Sequence, residues 1–160
     1  MVIYRRAGPK DSAGLEDCFR RLQDFERTLE PNRAKGRTVC KEYVARLFKQ
    51  CATHKGAVHV AEVGGRIVAF VCVLGRVDSE EIIEAEPEHA YVTDLYVDEE
   101  HRGAGIGEQL MEGAELHARS CGATRLKVGV LSANTRAHRF YERMGFRDNE
   151  VVLEKRLDNP

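Results

Sequence analysis

Six consecutive residues, Arg102-Gly103-Ala104-Gly105-Ile106-Gly107, carry the densest chemical signal in this chain. They follow an apolar strand pattern over residues 90–97 and precede a helical pattern over 105–120. Glycines at a strand-to-helix turn let the backbone approach a ligand closely. The N–H groups of the helix start, with the helix dipole behind them, then favour an anion such as a pyrophosphate. A dinucleotide-binding turn is the nearest rival, but it expects its first glycine directly after the strand and an acid at the end of the next one. Here Asp98 to His101 intervene, and the next strand ends in Val130-Leu131. Downstream come Asn134, Phe140, Tyr141 and Gly145-Phe146, among a basic cluster of Arg136, His138, Arg139 and Arg143. A guanidinium matches phosphate oxygens, which suits Arg102 and one or two members of that cluster; a solvated face accounts for the others. A phenol within hydrogen-bond reach of a reacting atom can pass a proton, so Tyr141 is either a catalytic acid or a core residue of its amphipathic helix.

Taken together, these residues resemble the GNAT superfamily of acetyl-CoA-dependent N-acetyltransferases. That family's signature, Arg/Gln-x-x-Gly-x-Gly/Ala, falls on Arg102, Gly105 and Gly107. The resemblance implies acetyl-CoA as cosubstrate, with no metal. Its phosphates would lie on Arg102, Gly103, Ala104, Gly105, Ile106 and Gly107, helped by Arg136. Its pantetheine arm would pair with the backbone of Leu95, Tyr96 and Val97, and the Val97 amide would polarise the acetyl carbonyl. Asn134 matches an amide that bonds the pantetheine, although it can also cap its own helix. Tyr141 matches the donor at the coenzyme sulfur.

One departure concerns the base. Many relatives carry a glutamate on the strand before the signature, whereas this strand reads Tyr91-Val92-Thr93-Asp94. The polyamine-acetylating branch has a Glu-Asp pair where this chain has Thr93-Asp94. Proton removal therefore falls to Asp94 acting through water, or to solvent; pairing with an arginine is the structural reading of the same residue. The loop after the first helix borders the acceptor in the family and offers Glu26, Glu30 and Asn32. Acidic Glu80, Glu81, Glu84, Glu86 and Glu88 precede the catalytic strand. With Asp94 they suggest a small cationic amine, such as a polyamine or an aminoglycoside. The alternatives are a protein or peptide amine, or a non-catalytic acyl-CoA sensor. The resemblance also leaves room for a homodimer.

These residues need a scaffold, and 160 residues are enough for one domain spanning 1–160. A net charge of -1, from 25 basic and 26 acidic residues, argues against a nucleic-acid partner. No long apolar run suggests a membrane partner, and the start MVIYRRAGPKD lacks an apolar leader, which points to the cytoplasm. Five cysteines, an odd count without a C-x-x-C pair, read as reduced thiols. None of them lies in a motif matched to nucleophile use. His117 and Cys121 share a helix face, but two ligands do not make a metal site.

The pattern predicts a strand at 2–6 and a helix capped by Asp11 or Ser12 that runs to Leu29. A second helix starts at Thr38, and Gly64-Gly65 turns a hairpin of 58–63 with 66–77. An exposed loop follows at 78–89, then strands at 90–97 and 126–130, helices at 105–120 and 135–144, and a last strand at 151–157. With the resemblance, this order implies an α/β (α+β) fold: a mixed, strongly twisted sheet of about six to seven strands with helices on both faces.

Overall fold

The computed structural model describes residues 1–78 and 88–157. Its elements are β1 (Val2–Arg6), α1 (Ser12–Leu29), α2 (Gly36–Thr53), β2 (Ala57–Val63), β3 (Arg66–Asp78), β4 (Glu88–Val97), α3 (Ile106–Ser120), β5 (Leu126–Val128) and α4 (Thr135–Arg143). The sheet order is β1-β2-β3-β4-β5. Its first four strands are antiparallel neighbours, and β5 joins β4 in parallel. On one face α1 and α2 bury Leu15, Phe19, Val44 and Leu47 against Phe70 and Tyr96. On the other, Ile106, Leu110, Met111 and Ala114 of α3, with Tyr141 of α4, cover Val71, Val73 and Val92.

Local chemistry explains the main joints. Gly64 and Gly65 take φ of 58° and 81°, the positive pair that a two-residue hairpin turn with matching twist requires. The Asp11 carboxylate does not cap α1. It accepts from the Gly8 N–H at 2.9 Å and from the Arg5 guanidinium at 2.8 and 3.0 Å, fastening β1 to the helix entry. Buried Asp98 accepts from the Tyr96 hydroxyl at 2.9 Å and pairs with Arg21 and Arg66. That knot fixes the end of β4 just before the glycine loop.

A β-bulge decides which way the β4 side chains point. Pairing with β3 passes from Cys72↔Asp94 to Val73↔Val92, so Thr93 is an extra residue in β4. Val92 therefore packs toward α3, while two residues later Asp94 meets Tyr43 of α2 and four residues later Tyr96 packs toward α1 and α2. Leu95 and Val97 return to the α3 side. Beyond the bulge the parallel pairing also stops: it runs only from Ala90↔Leu126 to Val92↔Val128. β4 and β5 then part.

The structure corrects several expectations. Among the described residues the sheet has five strands, because β5 ends at Val128 and residues 151–157 join no ladder. α2 begins at Gly36, two residues before Thr38; a Cβ there would lie 2.4 Å from the Arg20 carbonyl oxygen, so the glycine serves helix packing rather than a loop. Asp78, Glu88 and His89 belong to strands, and His89 is buried. Glu80, Glu81, Glu84 and Glu86 lie outside the described residues. Among the described residues no helix is long and apolar enough to cross a membrane.

Candidate active site

Beyond the point where β4 and β5 part, a cavity of about 470 Å³ opens between the end of β4, Leu22 and Phe25 of α1, the start of α3 and the inner side of α4. Leu95, Tyr96 and Val97 form one wall. The Asp98 N–H donates to the Val68 carbonyl of β3 at 2.8 Å. Antiparallel pairing alternates sides, so the backbone groups of Leu95 and Val97 point away from β3, into the gap. The Val97 carbonyl is taken by Arg102 Nε at 2.9 Å. Its N–H faces the cavity.

The opposite wall is built around a helix start. Gly103 and Gly105 take φ of 76° and 78°, and no side chain caps α3. Its first-turn N–H groups are therefore available to a ligand, beside Gly103, Ile106, Gly107 and Glu108 in the cavity lining. Gly107 also lets α4 come close: a Cβ there would sit 3.3 Å from the Phe140 ring. Ala104 and Gly105 shape this turn without lining the cavity.

Arg102, Arg136, Arg139 and Arg143 rim the opening. The Arg136 pKa is lowered, first by partial burial and then by the positive charge of Arg102, so the two guanidinium groups press on each other. Arg136 lies over the Phe25 ring at 5.4 Å. Asn134 lines the cavity and caps α4, its Oδ1 accepting from the Ala137 N–H at 3.1 Å; its amide nitrogen is not used by that cap. His138 leaves the cluster, pairing with Asp148 at 2.8 Å.

Tyr141 lies in the cavity wall, 9% exposed, with Phe140 and Phe146 edge-on to its ring. Burial raises its pKa well above the ordinary phenol value, and the charges of Asp94 and Glu26 raise it further. Its O–H thus stays protonated, and no described residue forms a hydrogen bond with it.

Asp94 sits behind this wall, outside the cavity lining and 9% exposed. The Tyr43 hydroxyl lies 3.0 and 2.9 Å from its two oxygens. Burial pushes the carboxyl up to about 6, against the pull of that hydroxyl, and the charge of Glu26 adds to the rise. Glu26 pairs with Arg33 at 3.1 Å and is itself raised by burial. Asp94, Glu26 and Tyr141 are therefore within electrostatic reach of one another. Glu30 caps the end of α1, meets the Asn32 amide at 3.4 Å and does not line the cavity.

Sequence reasoning did not single out Leu22, Phe25 or Tyr43 for the site. Their apolar spacing reads as core, and nothing in the chain links Tyr43 to an aspartate 51 positions away. Among the described residues, no three His, Cys, Asp or Glu side chains come together to hold a metal.

Residues 19–146 match the acetyltransferase (GNAT) family. The uncharacterized N-acetyltransferase YycN of Bacillus subtilis is 37% identical over 79 residues, covering 47% of this chain and only 51% of that protein. The D-amino-acid N-acetyltransferase HPA3 of Saccharomyces cerevisiae is 23% identical over 154 residues, covering 96% of this chain and 90% of that one. The crystal structure of a predicted acetyltransferase from Clostridium acetobutylicum with acetyl-CoA superposes with a TM-score of 0.77. It covers 98% of this chain and 97% of that one at 22% identity, a shared fold.

Proposed function

This chain belongs to the acetyltransferase (GNAT) family, and on that premise we propose that it moves an acetyl group from acetyl-CoA directly to the primary amine of a small cationic acceptor. We take residues 1–160 as one domain working in the cytoplasm. One observation carries the reading: a buried phenol with an unengaged O–H shares a cavity with an uncapped helix start and the unpaired edge of β4.

The residues fit a polyanionic coenzyme. Two arginines that repel each other across a rim gain from an anion between them, and uncapped first-turn N–H groups accept the same charge. In this reading Arg102, Arg136 and the turn from Gly103 to Gly107 hold phosphates. Leu95 offers its backbone groups to the amide-bearing arm, as a strand edge does, and the Asn134 amide nitrogen supplies a further donor. When bound, acetyl-CoA supplies the activated acyl thioester.

The remaining work belongs to the chain. The Val97 N–H is fixed in advance toward a carbonyl oxygen, where it would stabilise developing negative charge. The Tyr141 hydroxyl would give its proton to the departing sulfur. An alkylamine with a pKa near about 10.4 costs roughly 4 to 5 kcal/mol to deprotonate at pH 7. Asp94, titrating at about 6, would take that proton through water. Together with Glu26 it would first attract the cation.

A thiol-release assay with acetyl-CoA across polyamines, aminoglycosides, D-amino acids and lysine peptides tests the proposal. Turnover with small cationic amines is expected. Preference for peptides would move the acceptor class, and thermal stabilisation by acetyl-CoA without thiol release from any amine would replace the enzyme with a sensor.

A further inference from the structure

No cysteine takes part in the acetyl transfer described above, yet two of them meet. Cys51, in the last turn of α2, and Cys72, in β3, bring their Sγ atoms to 3.7 Å although 21 positions separate them. A disulfide bond spans about 2.0 Å, so the pair stands a small movement short of closure.

The two sulfurs are placed unequally. Cys72 is fully buried in the core beneath α1 and α2, whereas Cys51 is half-buried at the edge of that core, within reach of a small solute. Gly56 makes room for it: a Cβ there would lie 3.0 Å from Cys51 Sγ and 2.8 Å from the Val73 carbonyl oxygen of β3. Arg6 donates to the Gly56 carbonyl at 3.1 Å and brings a positive charge to the same side. The Cys72 S–H, the more enclosed of the two, donates to Cys51 and holds its pKa below the ordinary thiol value; burial opposes this and Arg6 adds to it. The same hydrogen bond, with burial, pushes the Cys72 thiol up. Cys18 has no such partner, and burial pushes it up to about 12. A part-exposed thiol beside a cation, touching a second thiol, is the setting in which a cysteine oxidises and is then resolved.

We propose that Cys51 and Cys72 form an oxidation site, where hydrogen peroxide closes a reversible disulfide between α2 and β3. The Cys51 thiolate attacks one peroxide oxygen and the O–O bond breaks. Cys51 becomes a sulfenic acid, and the hydroxide that leaves takes back the proton the thiol had released, giving water. The Cys72 sulfur then attacks the Cys51 sulfur, and its proton departs with the hydroxyl as a second water. Two thiols are oxidised and one peroxide is reduced.

The site reaches the acceptor chemistry through α2. Tyr43, Leu47 and Cys51 recur at every fourth position on one face of that helix. Cys72 pairs with Asp94 across the ladder, and the Tyr43 hydroxyl lies 2.9 Å from the same carboxylate. The dithiol and the Tyr43–Asp94 bond therefore join one helix to one strand pair. Drawing Cys51 onto Cys72 re-seats α2 and moves the phenol relative to the carboxylate. Resting on the reading of Asp94 as the proton acceptor, oxidation slows turnover.

The full chain, treated with hydrogen peroxide, denatured, alkylated and digested, tests the site. The expected product is a peptide linked through Cys51 and Cys72 that dithiothreitol separates, with Cys18 still alkylated. Cys51→Ser should leave Cys72 alkylated, and Cys72→Ala should leave Cys51 as a sulfenic acid that dimedone traps; the parent's peptide map decides the matter if the second variant does not fold. Alkylation of both Cys51 and Cys72 after peroxide, or a disulfide through other cysteines, overturns the proposal. Formation of acetylated amine tests the link to Asp94. The oxidised parent should be about 10- to 100-fold slower, the scale of a misplacement of about 1 Å, and recover with dithiothreitol. Peroxide-treated Cys51→Ser should keep its untreated rate. A disulfide with parental turnover overturns the link to Asp94; a reduced protein that acetylates no amine overturns the acetyl-transfer reading and leaves the disulfide standing.

Discussion

At the scale of single residues, burial pushes the Tyr141 phenol and the Asp94 carboxyl the same way, toward their protonated forms. The consequences differ. A phenol that does not ionise is a dependable donor, whereas a carboxyl at about 6 is part-charged where amine chemistry begins. Tyr141→Phe keeps the ring between Phe140 and Phe146 and removes only the O–H. It should lower kcat about 10²- to 10⁴-fold with acetyl-CoA affinity unchanged; full kcat would make the tyrosine a core residue. For Asp94 the kcat/KM profile should show an acid limb at about 6. Tyr43→Phe removes the donor that favours the carboxylate, so the limb should move to higher pH, and a limb that stays put would detach Tyr43 from the chemistry. Stability carries the same signature. The folded pKa of Asp94 lies above its ordinary 3.8, so the folded state binds the extra proton and loses this advantage as pH rises from 4 through 6. That loss is on the order of 3 kcal/mol at one pKa unit per 1.36 kcal/mol. Asp94→Asn should therefore be more stable, relative to the parent, at pH 7 than at pH 4. Equal urea midpoint shifts at both would show that the carboxyl does not titrate this way.

At the scale of elements, the signals that were legible in the sequence were local ones. The helical spacing of Leu15, Cys18, Phe19 and Leu22 and the Gly64-Gly65 turn each depend on a few neighbouring residues, and both elements formed. The glycine turn before α3 was legible for the same reason. What the sequence hid depends on partners far along the chain. The bulge at Thr93 is a property of two strands in register, and it is what separates Asp94 from Leu95 and Val97. Gly36 looked like loop because its packing against Arg20 cannot be seen from composition. The apolar alternation at 151–157 reads as a strand, but those residues join no ladder in the structure, because a pattern alone supplies no pairing partner. The turn also shows how structure sharpens an expectation. A Cβ on Gly105 would meet nothing within 4 Å, so the obstacle to a side chain there is its φ of 78° and not crowding. Gly105→Ala should cost about 1 to 2 kcal/mol, the usual penalty for a left-handed residue with a Cβ. It should also weaken acetyl-CoA by tenfold or more, because relaxing that φ turns the first N–H groups of α3 away from the rim. Calorimetry giving parental affinity in a folded variant would remove this loop from the coenzyme site.

At the scale of the whole molecule, a net charge of -1 conceals a strong asymmetry. Arg102, Arg136, Arg139 and Arg143 gather at the mouth of one cavity, while Asp94 and Glu26 stand behind its wall. In the proposed reaction an anionic coenzyme would meet the arginines first and a cationic amine would be drawn to the carboxylates, so the two reactants would be sorted before either is bound. Fields of this kind raise association rates by about 10- to 10³-fold and act over the Debye length, which shrinks from about 30 Å at 0.01 M salt to about 3 Å at 1 M. Acetyl-CoA association, followed by stopped-flow fluorescence, should therefore slow steeply with salt while dissociation changes much less. Replacing Arg136 and Arg139 together by Gln should flatten that slope: both are exposed, so their charges act through solvent more than through packing. The fully extrapolated high-salt rates of parent and variant should then converge, because screening removes the steering and leaves only docking. If the parent rate is flat from 0.01 to about 1 M salt, across the range where the Debye length collapses, the arginine rim does not guide the coenzyme. If the variant instead loses affinity through dissociation alone, at every salt concentration, those arginines hold bound phosphates without recruiting them.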